Sequence, residues 1–428
     1  MKPVRVEPAG PIRGTLRLPG DKSVSHRSLI LNALAGGPAR VEGLLRSGDV
    51  HATAGALRAC GVSIRDEGAA VLVTPPRGGL AEPSDIVDCG NSGTSMRLLT
   101  GMFAARAGHA VLTGDASLRQ RPMGRVVRPL KEMGAQIDGR AGGDRAPLSI
   151  RGAELKRAQH DLSVSSAQVK SALLLAGLRS GVSVREPRQS RDHTERMLRS
   201  MGASLRQDSE GWLVLSPAAQ LEPLDVVVPR DLSSAAFWLV AGSIIPGSDI
   251  LLPGVGINPS RAGVLDALVA MGADIQVLER REQGAEPVAD LRVRHAQLVG
   301  AEIRGELALR CLDELPVLAV AAAFAVGETV IADAAELRVK ESDRISRVVE
   351  GLRELGVSVE EQPDGMNIEG GRPEGPAQVD AEGDHRLAMA FAVAGAAASG
   401  GVSLTNADSV ESSYPTFFED LRRIRGGE

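Results

Sequence analysis

One short pattern recurs along this chain: a Leu, three residues, a Gly, then a small-to-apolar tail. It reads "LRACGVSI" at 57–64, "LKEMGAQI" at 130–137, "LRSMGASL" at 198–205, "LVAMGADI" at 268–275 and "LRELGVSV" at 352–359. A degraded sixth copy, "LRRIRGG", stands at 421–427. A Gly placed just after a helical turn marks a helix that stops at a left-handed cap and passes directly into a strand. Intact copies about 70 residues apart predict a repeated supersecondary unit.

A second element alternates with the first, a small-residue-rich apolar segment that also ends at Gly. Its instances span 28–37, 97–108, 170–181, 234–247, 314–327 and 386–400. These segments are apolar nearly all round, so they predict helices buried on every side, while the leucine repeats with their Arg, Lys and Glu predict amphipathic outer helices. Short strands such as "AVLVT" (70–74), "LSIRG" (148–152) and "WLVLS" (212–216) lie between. The 428 residues exceed one ordinary core, and six units divide naturally into two sets of three. The break falls near "VVVPRDLSS" (226–234), and the strand-like "GTLRLP" near the N-terminus is expected to pair with the second set. The expected domains are therefore 21–228, and 1–20 with 229–428.

The bulk chemistry excludes several partners. A formal charge of −5 opposes nucleic-acid or membrane binding by bulk attraction, and aromatics at 2% leave few rings to stack on bases. Cys60, Cys89 and Cys311 show no CxxC spacing and the seven histidines no HExxH pair, so no metal and no disulfide framework are expected. The start "MKPVRVEPAGPIRG" has no apolar signal-peptide run, which makes a cytoplasmic location the expectation.

Against this acidic background the cations are placed oddly. Lys22, His26 and Arg27 crowd the opening of the first apolar helix, which the run from Ser28 announces. "DCGNSGTSMR", "SVSSAQVK", "RCLDE" and "GDHR" precede other inner helices; "RQRPMGR", "RQSRDHTER" and "RVKESDR" precede outer ones. A helix N-terminus already carries partial positive charge and unpaired N–H groups, so added cations cost stability there unless an anion binds. Lys22, Arg27, Arg97, Arg121, Arg191, Lys340, Arg344 and Arg386 together predict a site for multiply charged substrates bearing phosphate and carboxylate groups. Asp313, which with Glu314 opens an apolar segment, and Glu341, between Lys340 and Arg344, are the acid–base candidates.

Several motifs also have plainer readings. "GDKS" lacks the GxxxxGK spacing of a nucleotide loop, since position 15 is Thr. "GNSGT" alone could be a capped turn, His193 a structural histidine, and Arg353 and Arg422 members of solvated faces.

The ordered motifs "LPGDKSVSHR", "GNSGTSMR", "QRPM", "SSAQVKSALLLAG", "LDELPVLAVAAAFA", "RVKESDR", "GDHRLAMA" and "SYPTFF" carry a resemblance to the EPSP synthase (enolpyruvyl transferase) family over essentially the whole chain. That resemblance implies an α/β fold of two similar domains, each of three repeated βαβαββ-like units in an inside-out α/β barrel, with the active site in the inter-domain cleft. It implies transfer of the enolpyruvyl group of phosphoenolpyruvate to the 5-hydroxyl of shikimate 3-phosphate, on the way to chorismate and the aromatic amino acids, with no cofactor and no metal.

By the same resemblance, Lys22, Ser23, Arg27, Ser165, Ser166, Gln168, Arg191, Asp313 and Lys340 are expected to bind shikimate 3-phosphate. Lys22, Gly93, Arg97, Arg121, Gln168, Arg344 and Arg386 are expected at phosphoenolpyruvate, with Asn91, Thr94 and His385 nearby. Asp313, Glu341 and Lys22 are the expected catalytic residues. Glyphosate is the expected inhibitor, and the chain is expected to act as a monomer.

Three positions depart from or bear on the family pattern. Ser412 stands where some members carry Lys, Glu336 where some carry Asn, and Gly93 is kept where glyphosate tolerance often accompanies Ala. The related UDP-N-acetylglucosamine enolpyruvyl transferases carry a Cys before an Arg-Pro, absent from "SLRQRPMGR" here. A catalytically silent sensor of anionic metabolites would keep the cations without needing both Asp313 and Glu341.

Overall fold

The computed structural model of the chain describes residues 3–426. Residues 1, 2, 427 and 428, which include the last Gly of the sixth repeat and the outer ends of the expected domain bounds, lie outside the described residues. Among the described residues, no helix is long and apolar enough to cross a membrane.

The leucine repeat has a direct structural cause. All five intact copies end an outer helix, and their glycines Gly61, Gly134, Gly202, Gly272 and Gly356 have φ from +77° to +108°. In each copy the Gly N–H donates to the carbonyl three residues back, and the next N–H reaches the carbonyl of the repeat Leu. Gly61 N to Arg58 O is 2.9 Å and Val62 N to Leu57 O is 3.1 Å, and the same pair recurs at 134–135, 202–203, 272–273 and 356–357. This double bond satisfies helix-end carbonyls while turning the chain, and it needs a left-handed residue that only Gly adopts without strain. The five repeat leucines are all fully buried, so the cap also pins the helix to the core.

The six inner segments form the helices Lys22–Ala33, Gly93–Ala104, Ala167–Ala176, Leu232–Ile244, Leu315–Ala323 and His385–Ala397, which are buried over most or all of their length. Small residues let them approach closely. A Cβ on Gly101 would lie 2.1 Å from the Ala172 carbonyl oxygen of the neighbouring inner helix, so any larger residue would force the two apart. The first helix starts at Lys22 rather than at Ser28 as the apolar run suggests. Asp21 caps it, its carboxylate accepting from Val24 N at 2.8 Å, so polar residues with a good cap extend the helix ahead of its apolar stretch.

Two compact units result: residues Gly20–Val228 with Gln283–Glu286, and residues Met1–Pro19, Pro229–Glu282 and Pro287–Glu428. They depart from the expected bounds at Gly20 and at 283–286. Gly20 lies against Gly43, where a Cβ would meet a carbonyl oxygen at 2.1 Å, and Glu286 pairs with buried His193 at 2.7 Å. Each unit has its own core cluster.

Within the first unit the strands repeat one sheet pattern. Val87–Asp88 runs parallel to Gly108–Thr113, which pairs antiparallel with Arg145–Gly152, itself antiparallel to Gln136–Gly139. Interleaved with the helices, the order is βαβαββ. Val226–Val227, the last strand of this unit, closes parallel onto Ala39–Glu42 of its first sheet. In the other unit, Arg13–Thr15 pairs parallel with Asp249–Leu251. The "SYPTFF" motif builds that unit's core: Tyr414 and Phe417 are fully buried, and the Phe417 ring lies 5.5 to 5.9 Å from those of Tyr414, Trp238 and Phe237.

Candidate active site

In the unit of residues 20–228, three inner-helix N-termini carry most of the expected binding residues. Lys22 is the first residue of its helix and pairs with Asp49 at 3.1 Å, with Ser23 following. Arg27, only 3% exposed, donates to Thr194 Oγ1 at 2.6 Å, Ser171 Oγ at 2.8 Å and the Ser23 carbonyl at 3.1 Å. Burial pushes its pKa down to about 10; Glu195 and Asp21 oppose that push, and Arg191 adds to it. The guanidinium's hydrogen bonds go to neutral oxygens while nearby carboxylates only partly offset its burial, which favours an arriving anion. His26 is different. Burial first, then Lys22 and Arg27, hold its pKa well below 6.5, so it sits neutral with Nδ1 2.8 Å from Thr53 Oγ1.

The second cluster forms at Gly93, the first residue of its helix, where Ser92 caps by accepting from Ser95 N at 3.1 Å. A Cβ on Gly93 would lie 2.9 Å from Arg97 Nη1 and 3.3 Å from Arg121 Nη1. The missing side chain therefore lets two guanidiniums converge on one helix N-terminus. Arg97 donates to Gln168 Oε1 and, at 3.3 Å, to the Pro122 carbonyl; Gln168 in turn donates to Thr94 Oγ1 at 2.9 Å. Arg121, 7% exposed, donates to Asn91 Oδ1 at 2.6 Å, and Asn91 donates to Asp115 at 2.6 Å. Two guanidiniums and a helix dipole aimed at one point form an anion receptor with bidentate capacity.

The third N-terminus belongs to Ala167–Ala176, capped by Ser166. Glu186 Oε1 accepts from Ser166 N at 2.8 Å, while Ser165 Oγ donates to the Arg188 carbonyl at 2.6 Å. Lys170, 3% exposed, pairs with Glu186 at 2.8 Å and Glu195 at 2.7 Å. Arg191 is half-buried, two residues before the helix His193–Ser200.

The other unit holds the carboxylates. Asp313 is surrounded by Lys340 Nζ at 3.7 Å, Arg344 Nη1 at 3.5 Å and Arg386 Nη2 at 3.6 Å. Glu341 pairs with Arg344 Nη2 at 2.6 Å. Arg386 also donates to the Asp313 backbone carbonyl at 3.0 Å, which orients its fork. Desolvation and Arg344 lower the pKa of Lys340 while Asp313 opposes them. Burial works against the charge of Arg344, yet the carboxylates of Asp384 and Glu341 outweigh it and raise the pKa. This cluster couples the carboxylates of Asp313 and Glu341, with Asp384 and Glu314 behind them, to three cations, an arrangement suited to moving protons.

The structure gathers Asn91, Gly93, Thr94, Arg97, Arg121 and Gln168 around one helix N-terminus, and joins Asp313, Lys340, Glu341, Arg344 and Arg386 through ion pairs. His385 is buried at the first position of its helix. Sequence reasoning missed Asp49, Ser171, Thr194 and Asp384, which hold three of the expected cations, and Glu186, which pairs with Lys170 and accepts from Ser166 N. Only Asp384 had a signal, as the N-cap Asp just before His385 and Arg386.

Comparison with known proteins adds an independent line. Residues 6–421 match the family model described as EPSP synthase (3-phosphoshikimate 1-carboxyvinyltransferase). A 3-phosphoshikimate 1-carboxyvinyltransferase of Citrifermentans bemidjiense is 51% identical over 428 residues, covering 99% of each chain. One of Gloeobacter violaceus is 53% identical over 98% of each. The solved EPSP synthase of Acinetobacter baumannii is 41% identical with a TM-score of 0.88, over 99% of this chain and 98% of that one. The enolpyruvyl transferase NikO of Streptomyces tendae shares the fold at a TM-score of 0.78 and 20% identity, over 99% and 97%.

Proposed function

The chain belongs to the EPSP synthase family, and on that premise we propose that it transfers the 1-carboxyvinyl group of phosphoenolpyruvate to the 5-hydroxyl of shikimate 3-phosphate, releasing phosphate. The observation that carries this reading is the convergence of Arg97 and Arg121 on Gly93, an anion receptor of two guanidiniums at one helix N-terminus. The family match favours shikimate 3-phosphate over UDP-N-acetylglucosamine as acceptor, and over a silent sensor.

In the proposed reaction the substrate hydroxyl oxygen attacks C2 of phosphoenolpyruvate while a proton adds to C3, giving a methyl group and a tetrahedral intermediate. That intermediate loses phosphate from C2 and a proton from C3, restoring the double bond. Asp313 takes the hydroxyl proton; Glu341 with Lys22 delivers and removes the C3 proton. Arg121, Arg344 and Arg386 hold the phosphate and carboxylate of phosphoenolpyruvate, joined by Lys22, Gly93, Arg97 and Gln168. These cations stabilise the charge that grows on the departing phosphate. Lys22, Ser23, Arg27, Ser165, Ser166, Gln168, Arg191, Asp313 and Lys340 hold shikimate 3-phosphate. The reaction needs the acid–base cluster and the anion clusters to act on the same pair of substrates. No redox or electrophilic group beyond these side chains enters the scheme. We place the enzyme in the cytoplasm as a monomer, with glyphosate competing for the phosphoenolpyruvate site.

The test is phosphate release from phosphoenolpyruvate with either acceptor. Release with shikimate 3-phosphate alone is expected; none with it, or release with UDP-N-acetylglucosamine, overturns the reading.

A further inference from the structure

A separate cavity of about 640 Å³ lies in the unit of residues 20–228, where the inner helices Lys22–Ala33, Gly93–Ala104 and Ala167–Ala176 end. It is lined by Leu34 and Ala105, which cap two of them, and by Leu178 beyond the third. At about 1.5 Å of rise per residue, it lies roughly 15–18 Å along these helices from the N-termini that carry the binding residues named above.

Arg77, Arg106 and Arg179 line this cavity, and no Asp or Glu does. Helix C-termini attract cations, so the arginines could simply offset three dipoles. The magnitudes argue otherwise. Three helix ends supply about −0.5 charge each, roughly −1.5 together, against three full positive charges. Nor do the guanidiniums cap the helices: among the described residues, none of the three forms an ion pair or donates to a helix-end carbonyl. Arg106 is half-buried, and its pKa is lowered first by burial and then by Arg179, so two like charges act on one another across this cavity. The rest of the wall mixes apolar side chains, among them Pro75, Leu80, Met102 and Leu175, with the polar Thr74 and Gln220 and with glycine backbone. Its volume falls in the range of small-molecule sites.

We propose that this cavity is a second anion site, taking a small organic dianion whose two acidic groups engage Arg106 and Arg179 and whose apolar body lies on the leucine and proline wall. No residue of the proposed reaction lines it, so binding there is separable from turnover.

The test is calorimetric titration of the full-length chain with benzene-1,3-dicarboxylate, and with benzoate as the monoanion. Saturable binding of the dicarboxylate is expected, with the dissociation constant raised at least about tenfold in Arg106→Gln and in Arg179→Gln and unchanged in Arg121→Gln. Arg179 is exposed, so Arg179→Glu provides a charge change that folding should tolerate, and the same loss is expected there. Absence of binding up to about 10 mM overturns the proposal. So does unchanged affinity in the Arg179 variants, loss of binding in Arg121→Gln, or benzoate binding as tightly as the dicarboxylate.

Discussion

Arg344 and Asp384 meet at 2.7 Å with 1% and 0% of their side chains exposed, and a second bond of 3.2 Å makes the contact bidentate. Asp384 also caps its helix by accepting from Arg386 N at 2.9 Å. One carboxylate thus aims a guanidinium from one helix and fixes the start of another.

Removing that carboxylate should be costly. Breaking a buried pair from one side strands the other charge, typically by about 3–5 kcal/mol. Asp384→Asn is expected to lose stability by up to that scale in chemical denaturation, with Glu341 still pairing Arg344 at 2.6 Å, and to raise KM for phosphoenolpyruvate, since Arg344 loses its bidentate partner. A variant within about 1 kcal/mol of the native chain would show that the pair is not the anchor described here.

Gly93→Ala should separate binding from folding. The new Cβ meets only the flexible ends of Arg97 and Arg121, at 2.9 and 3.3 Å. The guanidiniums can move aside, so the melting temperature should hold. Their displacement should weaken phosphoenolpyruvate and glyphosate, raising KM and the glyphosate inhibition constant about tenfold or more. Unchanged values for both would mean that the cluster does not hold the donor substrate.

For the acid–base pair, Asp313→Asn and Glu341→Gln are expected to bind substrates while kcat falls about a hundredfold to ten-thousandfold. Either variant turning over at the native rate would remove that residue from the proposed mechanism.

Glyphosate should inhibit by competing with phosphoenolpyruvate, its effect overcome as phosphoenolpyruvate rises. Full activity at millimolar glyphosate (on the order of 1–10 mM) would contradict the proposed site.

Acid stability should carry the mark of His26. Unfolded, His26 takes up a proton near 6.5; folded, it stays neutral to well below that value, as burial, Lys22 and Arg27 dictate. The unfolded chain therefore binds more protons, and this contribution is complete above pH about 6.5 and lost as pH falls further. Buried His160 is shifted in the same direction, by burial with Glu132 opposing. Each adds a slope of up to about 1.4 kcal/mol per pH unit. His26→Asn should remove one such proton from the pH dependence of unfolding below pH about 6.5; an unaltered slope would refute the assignment.

Much of this architecture was legible locally. The Leu-x-x-x-Gly pattern could be read because its cause lies within six consecutive residues, where a left-handed Gly lets two backbone N–H groups find helix-end carbonyls. The inner helices were legible because only burial on every side tolerates so apolar a surface, and the cation-laden N-termini because uncompensated charge at a positive helix end implies an anion. Which groups hold those cations was decided only by the tertiary structure. Arg27 is fixed by Ser171 and Thr194, more than 140 residues away along the chain, and Arg344 by Asp384, 40 residues on. Such partners obey no local periodicity, because they come together only when separate helices pack. The same packing settled the charge of His26: sequence proximity suggested a third cation, whereas burial beside Lys22 and Arg27 keeps it neutral.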